Sequence, residues 1–133
     1  MSALKDPEAM PTCLVIDDSE SMREVASGIL TELGVSVAEA DDAPSGLEAC
    51  AAGVDAVLLD WDLPKLGALD FLRGAASLSP RPVVILCATE NDARQFGLAR
   101  AAGAGFHLLK PYGAEDVAEV LIRAGIETGR AVA

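Results

Sequence analysis

The clearest sign of the architecture lies in the segment Ala56-Val57-Leu58-Leu59-Asp60-Trp61-Asp62-Leu63-Pro64. Its first four residues are apolar without alternation, which predicts a strand buried on both faces, as in a parallel sheet covered by helices. The run ends abruptly in Asp60, with Asp62 two places on and Pro64 closing the turn. Open α/β sheets bind ligands at the carboxyl ends of their strands, so Asp60 stands where chemistry is expected. Turns also favour Asp for purely local reasons. What the rest of the chain brings to that edge therefore carries the argument.

Working outward, Cys13 to Ile16, Val83 to Cys87 and Phe106 to Leu109 read as further short buried strands, and Val35 to Ala38 as another. Between them the apolar period changes to that of a helix. Met22, Val25, Ala26, Ile29, Leu30 and Leu33 recur at helical spacing, with Ser19 or Ser21 as N-cap and Gly34 as the stop. Asp41-Asp42-Ala43-Pro44 opens a second helix that Gly53 closes. A third runs through Leu69, Phe71, Leu72 and Ala75–Ala76 until Pro80 and Pro82 break it. Asn91 to Ala102 reads as a weaker helix ended by Gly103, and Ala114 to Ala124 as a last one with Val117, Val120, Leu121 and Ala124 on one face. Five strands alternating with five helices over short connections predict right-handed crossovers and a doubly wound parallel sheet.

A length of 133 residues allows one domain with a real core. At 51% hydrophobic but only 4% aromatic, that core has to be built from Ala, Val, Leu and Ile. The formal net charge of −11 argues against direct binding to nucleic acid or an anionic membrane; it reads mainly as a solvated acidic surface, with a cluster of carboxylates that attracts a cation as an addition. Cys13, Cys50 and Cys87 cannot all pair and form no C-x-x-C, so free thiols in a reducing compartment are expected. No apolar signal sequence precedes Pro11 and no run approaches the ~18 residues of a membrane span. The expected location is the cytoplasm, and the expected layout is a loose leader over 1–11, one domain over 12–125 and a tail over 126–133.

Three strands end in polar residues: the first at Asp17-Asp18, the third at Asp60, the fifth at Lys110. In a parallel sheet these ends share one edge. Two carboxylates separated by about 4 Å repel by about 4 kcal/mol at an effective dielectric of about 20, so three together call for a bound cation or raised pKa values. A hard divalent ion such as Mg²⁺ suits one or two carboxylates plus a phosphate. Lys110 would put a point charge on the other side of the same anion. Taken singly, Asp17-Asp18 reads equally well as a helix cap, and Lys110-Pro111 reads better as a solvated turn; the joint order is the specific signal.

With Leu14-Val15-Ile16-Asp17-Asp18-Ser19, Val57 to Pro64 and Leu108-Leu109-Lys110-Pro111, the sequence resembles the receiver domains of bacterial two-component response regulators, of the single-domain chemotaxis or phosphorelay type. The resemblance spans residues 12–125 and implies a five-stranded sheet in the order 2-1-3-4-5. It implies that Asp60 accepts a phosphoryl group from a histidine kinase or histidine phosphotransferase. Asp18 matches a direct Mg²⁺ ligand, Asp17 the acid that helps place the ion, and Asp62 the residue whose backbone carbonyl binds it. Lys110 matches the lysine that contacts the phosphoryl group. The downstream protein target would bind the surface of the fourth helix, fifth strand and fifth helix.

The departures are informative. Where the family ends its fourth strand in Thr or Ser followed by Ala, this chain has Cys87-Ala88, and a thiol is a weak donor. Thr89 lies ~6.6 Å further along at normal rise, so only a bulge would bring its hydroxyl back. His107 takes the place of the switch Tyr or Phe; it reads either as a source of pH sensitivity or as a ring packed on the strand with a solvated edge. Leu63-Pro64-Lys65-Leu66-Gly67-Ala68 departs from the usual M-P-x-M-D-G. Two other functions compete. Asp60-Trp61-Asp62 is also the D-x-D of haloacid-dehalogenase-type phosphatases, although Pro64 stands where those enzymes have Thr or Val. A receiver acting as a phosphorylation-independent binding module is the other.

Overall fold

The computed structural model describes residues 10–129. In chain order the elements are β1 (Thr12–Ile16), α1 (Glu20–Glu32), β2 (Ser36–Ala40), α2 (Ala43–Ala51), β3 (Ala56–Asp60), α3 (Gly67–Ala75), β4 (Val83–Ala88), α4 (Ala93–Ala101), β5 (Phe106–Leu109) and α5 (Ala114–Arg123). The strands are parallel throughout, in the order β2-β1-β3-β4-β5. This is the five-stranded, flavodoxin-like arrangement that the resemblance to receiver domains implies. Residues 1–9 of the expected leader and 130–133 of the expected tail lie outside the described residues. Pro11 is buried and its carbonyl accepts from the Ser36 amide at 2.9 Å, so ordered pairing begins before residue 12.

β3 is buried along its whole length because both faces of the sheet are covered. Leu14, Ile16, Val57, Leu59 and Leu86 point toward α2 and α3, where Phe71 and Leu72 meet them. Cys13, Val15, Leu58, Ile85 and Cys87 point the other way, toward Leu30 of α1 and Val117 and Leu121 of α5. The two faces alternate residue by residue along each strand, as the pleat requires. Phe71, at 0% exposure, is the largest side chain of this aromatic-poor core.

Local chemistry sets the helix starts. Ser19, not Ser21, caps α1, its hydroxyl accepting from the Met22 amide at 3.2 Å. Asp42 caps α2 through the Ser45 amide and hydroxyl, and these bonds hold its carboxyl below the ordinary value. Asp92 caps α4, which therefore starts at Ala93 rather than at Asn91.

Other boundaries also differ from the sequence reading. β2 runs from Ser36 to Ala40 instead of Val35 to Ala38, because the Val35 amide still bonds back to Leu30 as α1 ends. β4 continues through Ala88. Between β3 and α3, Pro64–Leu66 forms one turn of 3₁₀ helix with Lys65 and Leu66 in the left-handed region, at φ 58° and 59°.

Gly34 has φ +78°, and its backbone meets that of Gly129, whose amide donates to the Leu33 carbonyl at 3.0 Å. A Cβ on Gly34 would lie 2.6 Å from the Gly129 Cα. Residues 126–129 thus lean on the α1–β2 turn, with Ile126 packed on the α1/α5 side of the core. Among the described residues no helix is long and apolar enough to cross a membrane.

Candidate functional site

The β1–α1 turn, the end of β3 and the end of β5 bring Asp17, Asp18, Asp60 and Lys110 to one edge of the sheet. Asp17 and Asp60 are buried, at 5% and 3% exposure, whereas Asp18 is exposed. One oxygen from each of the three carboxylates falls within 4.8 Å of the others. Lys110 reaches in from β5, with Nζ 2.9 Å from Asp17 Oδ2 and 3.0 Å from Asp60 Oδ1. Its own amide donates to the Ala88 carbonyl at 2.7 Å, which fixes the root of the side chain to the end of β4.

The two buried carboxylates are also held by the main chain. The Ser19 amide donates to Asp17 Oδ1 at 2.9 Å, and the Asp62 amide donates to Asp60 Oδ1 at 3.0 Å. On the other side of Asp17, its amide donates to the Ala40 carbonyl at 3.1 Å and its carbonyl accepts from Arg23 Nη1 at 2.7 Å.

Burial pushes the Asp60 carboxyl above its ordinary pKa; the Asp62 amide and the Lys110 ammonium pull it back in part, and Asp17 adds repulsion. Burial would lower the Lys110 pKa, but hydrogen bonds to Asp17 and Asp60 outweigh it and hold the ammonium above its usual value. The result is a half-neutralised pair of buried carboxylates beside a third that faces water. Three carboxylates offering hard oxygen atoms fit an oxygen-liganded divalent cation, and Asp18 leaves the open side for one.

Of the other residues singled out from sequence, Cys87 stands directly opposite Asp60 across the β3–β4 ladder, and its carbonyl accepts from the Trp61 amide at 2.9 Å. Its thiol is buried, lies 3.8 Å from the Ile85 carbonyl, and is pushed up in pKa by desolvation. Ala88 is buried beside it. β4 carries no bulge at this point; Thr89 lies beyond the strand, its hydroxyl donating to Asp62 Oδ2 at 3.4 Å and not to Asp60. The Asp62 carboxylate thus bonds Thr89 and is not one of the three clustered carboxylates, while its amide serves Asp60.

His107 is separated from these groups by the sheet. It pairs with Leu86 in register and its exposed ring stacks on Phe96 of α4, centroids 4.1 Å apart and planes 18° from parallel. The stack borders a groove of about 350 Å³ between α4 and β5, lined also by Asn91, Gly97 and Arg100. The sequence reading missed Phe96 as the partner of His107, and it missed Arg23 and Glu39, which form an ion pair at 3.2 Å next to Asp17. Arg23 lies one helical turn past the Ser19 cap that follows the Asp17-Asp18 pair, and that spacing is the signal that could have found it.

Comparison with known proteins agrees with this geometry. The response regulator receiver domain family matches residues 13–122. The chemotaxis protein CheY of Pseudomonas aeruginosa is 32% identical over 111 residues, covering 80% of this chain and 89% of the relative. Chemotaxis protein CheY-3 of Vibrio cholerae is 32% identical over 113 residues, covering 81% and 86%. Among solved structures, Vibrio cholerae chemotaxis protein CheY4 superposes with a TM-score of 0.81 at 26% identity, covering 87% of this chain and 99% of that one. The chain belongs to the response regulator receiver family.

Proposed function

We propose that this receiver is a phosphorylatable signalling switch in which Asp60 is the acceptor. The observation that carries the reading is the buried Asp60 carboxylate at the end of β3, held between the Asp62 amide and Lys110 with the Asp17–Asp18 pair alongside. An Asp60 oxygen attacks the phosphorus of a phosphohistidine on a histidine kinase or phosphotransferase. The P–N bond breaks, its electron pair passes to the imidazole nitrogen, and that nitrogen takes up a proton. Asp17, Asp18, Asp60 and the Asp62 carbonyl would hold Mg²⁺, which supplies positive charge to the transferring oxygens. Lys110 supplies the same from the β5 side.

The chain is on this reading not a turnover enzyme: it catalyses its own phosphorylation and a slow return to the free acid. The receiver occupies residues 12–125 between a leader and a tail, in the cytoplasm. Its protein target binds the face made by α4, β5 and α5. A D-x-D phosphatase would need the Asp62 carboxyl free for acid–base work over Asp60, whereas it faces Thr89.

The test is mass spectrometry after incubation with a small phosphodonor such as acetyl phosphate. One phosphoryl group should appear, mapped to Asp60, with Mg²⁺ and not with a chelator. No gain with any small donor or phosphohistidine protein would sink the reading.

Cys87 and Ala88 would meet the phosphoryl group from β4 and His107 would help relay the change, so the readout should be weak where a thiol replaces a hydroxyl. A hydrogen bond to an ionised group contributes about 1.5–3 kcal/mol, more than a thiol supplies. Cys87→Thr should therefore bind the phosphoryl mimic beryllofluoride roughly tenfold more tightly in the presence of Mg²⁺, a difference of about 1.4 kcal/mol. Emission from Trp61, the sole tryptophan and the neighbour of Asp60, provides the signal. Equal affinities would show that Cys87 does not limit the grip on the phosphoryl group.

A further inference from the structure

We infer that Arg23, neutralised by Glu39, is a positioning residue for the cation side of this site; the inference rests on the metal reading proposed above. Arg23 projects from α1 with only 17% of its side chain exposed. It makes two directed bonds from one planar group. Nη1 donates to the Asp17 carbonyl at 2.7 Å, and Nε donates to Glu39 Oε1 on β2 at 3.2 Å. The second Glu39 oxygen accepts from the Ser27 hydroxyl at 3.0 Å, so the carboxylate is itself braced against α1.

The carbonyl that Arg23 grips belongs to the peptide joining Asp17 to Asp18. Because that unit is planar, fixing its oxygen fixes the plane from which Asp18 departs. The preceding peptide is already fixed by the Asp17 amide on Ala40. Asp18 itself is exposed, and no side-chain hydrogen bond orients it among the described residues. The aim of its carboxylate is thus inherited from the Asp17–Asp18 peptide, which Arg23 holds from behind. Asp17 is then constrained at its amide, its carbonyl and both carboxylate oxygens.

A guanidinium this close to a cation site would oppose the cation if left alone. Glu39 cancels that charge locally, so the pair contributes geometry with little net field. Lysine could not replace Arg23, because a single ammonium cannot span both the carbonyl and the carboxylate with the fixed fork of a guanidinium. Groups behind metal ligands typically change affinity by about 10- to 100-fold when removed.

The experiment is a Mg²⁺ titration of the full chain followed by Trp61 emission, comparing wild type with the double variant Arg23→Gln/Glu39→Gln, which keeps the local charge balance. The dissociation constant for Mg²⁺ should rise about tenfold. Phosphoryl uptake should return to the wild-type rate once Mg²⁺ is saturating, since Asp60 and Lys110 are untouched. Arg23→Lys should fall between the two. A double variant with wild-type Mg²⁺ affinity and a lower melting temperature would overturn the inference, leaving the pair as a tie between α1 and β2. If the double variant does not fold, Arg23→Lys decides: weakened Mg²⁺ binding supports the inference and unchanged binding overturns it. A wild-type chain with no Mg²⁺ response would overturn the metal reading and this inference together.

Discussion

Asp60→Asn takes up no phosphoryl group, from small donors or from phosphohistidine proteins, under conditions that modify the wild type fully. That is the expected result, and its cause is local. An amide oxygen has no anionic lone pair to attack phosphorus. Asn retains an acceptor for the Asp62 amide and for Lys110, so the loss is one of chemistry and not of fold. The same substitution has a signature in stability. Burial raises the Asp60 pKa in the folded chain above the ordinary 3.8. A raised folded pKa means that the folded state holds this proton at pH values where the unfolded chain has lost it. The contribution to stability is complete below the unfolded value and is lost as pH rises through the folded one. Asn has no such proton to lose. Urea denaturation at successive pH values should show Asp60→Asn gaining on the wild type as pH rises from the acid side through that window. Parallel curves would contradict the burial argument.

The second large effect is expected from Lys110→Met. Removing one preorganised donor from developing charge typically costs about 10²–10³ in rate, and phosphoryl uptake should fall by that order. The fold should suffer too. Lys110 is the shared partner of Asp17 and Asp60, and its own side chain is only 13% exposed. Breaking a buried ion pair by deleting one member costs about 3–5 kcal/mol, because the other charge stays behind. Here two carboxylates stay behind, and the Asp60 pKa should climb further. The destabilisation should therefore be large at neutral pH and shrink on acidification as Asp60 takes up its proton. It should also shrink on adding Mg²⁺, since an ion that binds only the folded state stabilises by mass action. A loss of stability equal at all pH values and indifferent to Mg²⁺ would mean that Lys110 acts only through its packed stem.

Much of this was legible in the residues because the informative strands are central. β3 and β5 fall where their apolar runs begin and end, and Asp60 and Lys110 are placed simply by being where those runs stop. β2 was less legible because it is an edge strand. It is only partly buried and carries Glu39, so its apolar signature is weak while Val35, still tied to α1, looks like strand. The turn at Pro64–Leu66 was hidden because Lys65 and Leu66 adopt positive φ, a conformation that neither residue type announces. Arg23 and Glu39 are sixteen residues apart and read as ordinary surface charges until α1 and β2 are laid together. The Cys87 position could be read from its register, but the direction of its thiol could not. Its neighbour across the ladder is Asp60, yet its nearest acceptor is the Ile85 carbonyl of its own strand.

The contact between Gly129 and Gly34 has a practical consequence for handling the protein. Both glycines lie at the edge of the sheet where helices end and strands begin, opposite the edge that carries Asp60. A strand of five residues separates the two edges by roughly 16 Å. A surface tether or fluorophore joined on the carboxyl side of Gly129 would therefore anchor the molecule by its far end and leave the mouth around Asp18 and Lys110 open to solution. A tether joined through the Lys65–Leu66 turn, which follows the carboxyl end of β3, would instead sit on the same edge as Asp60.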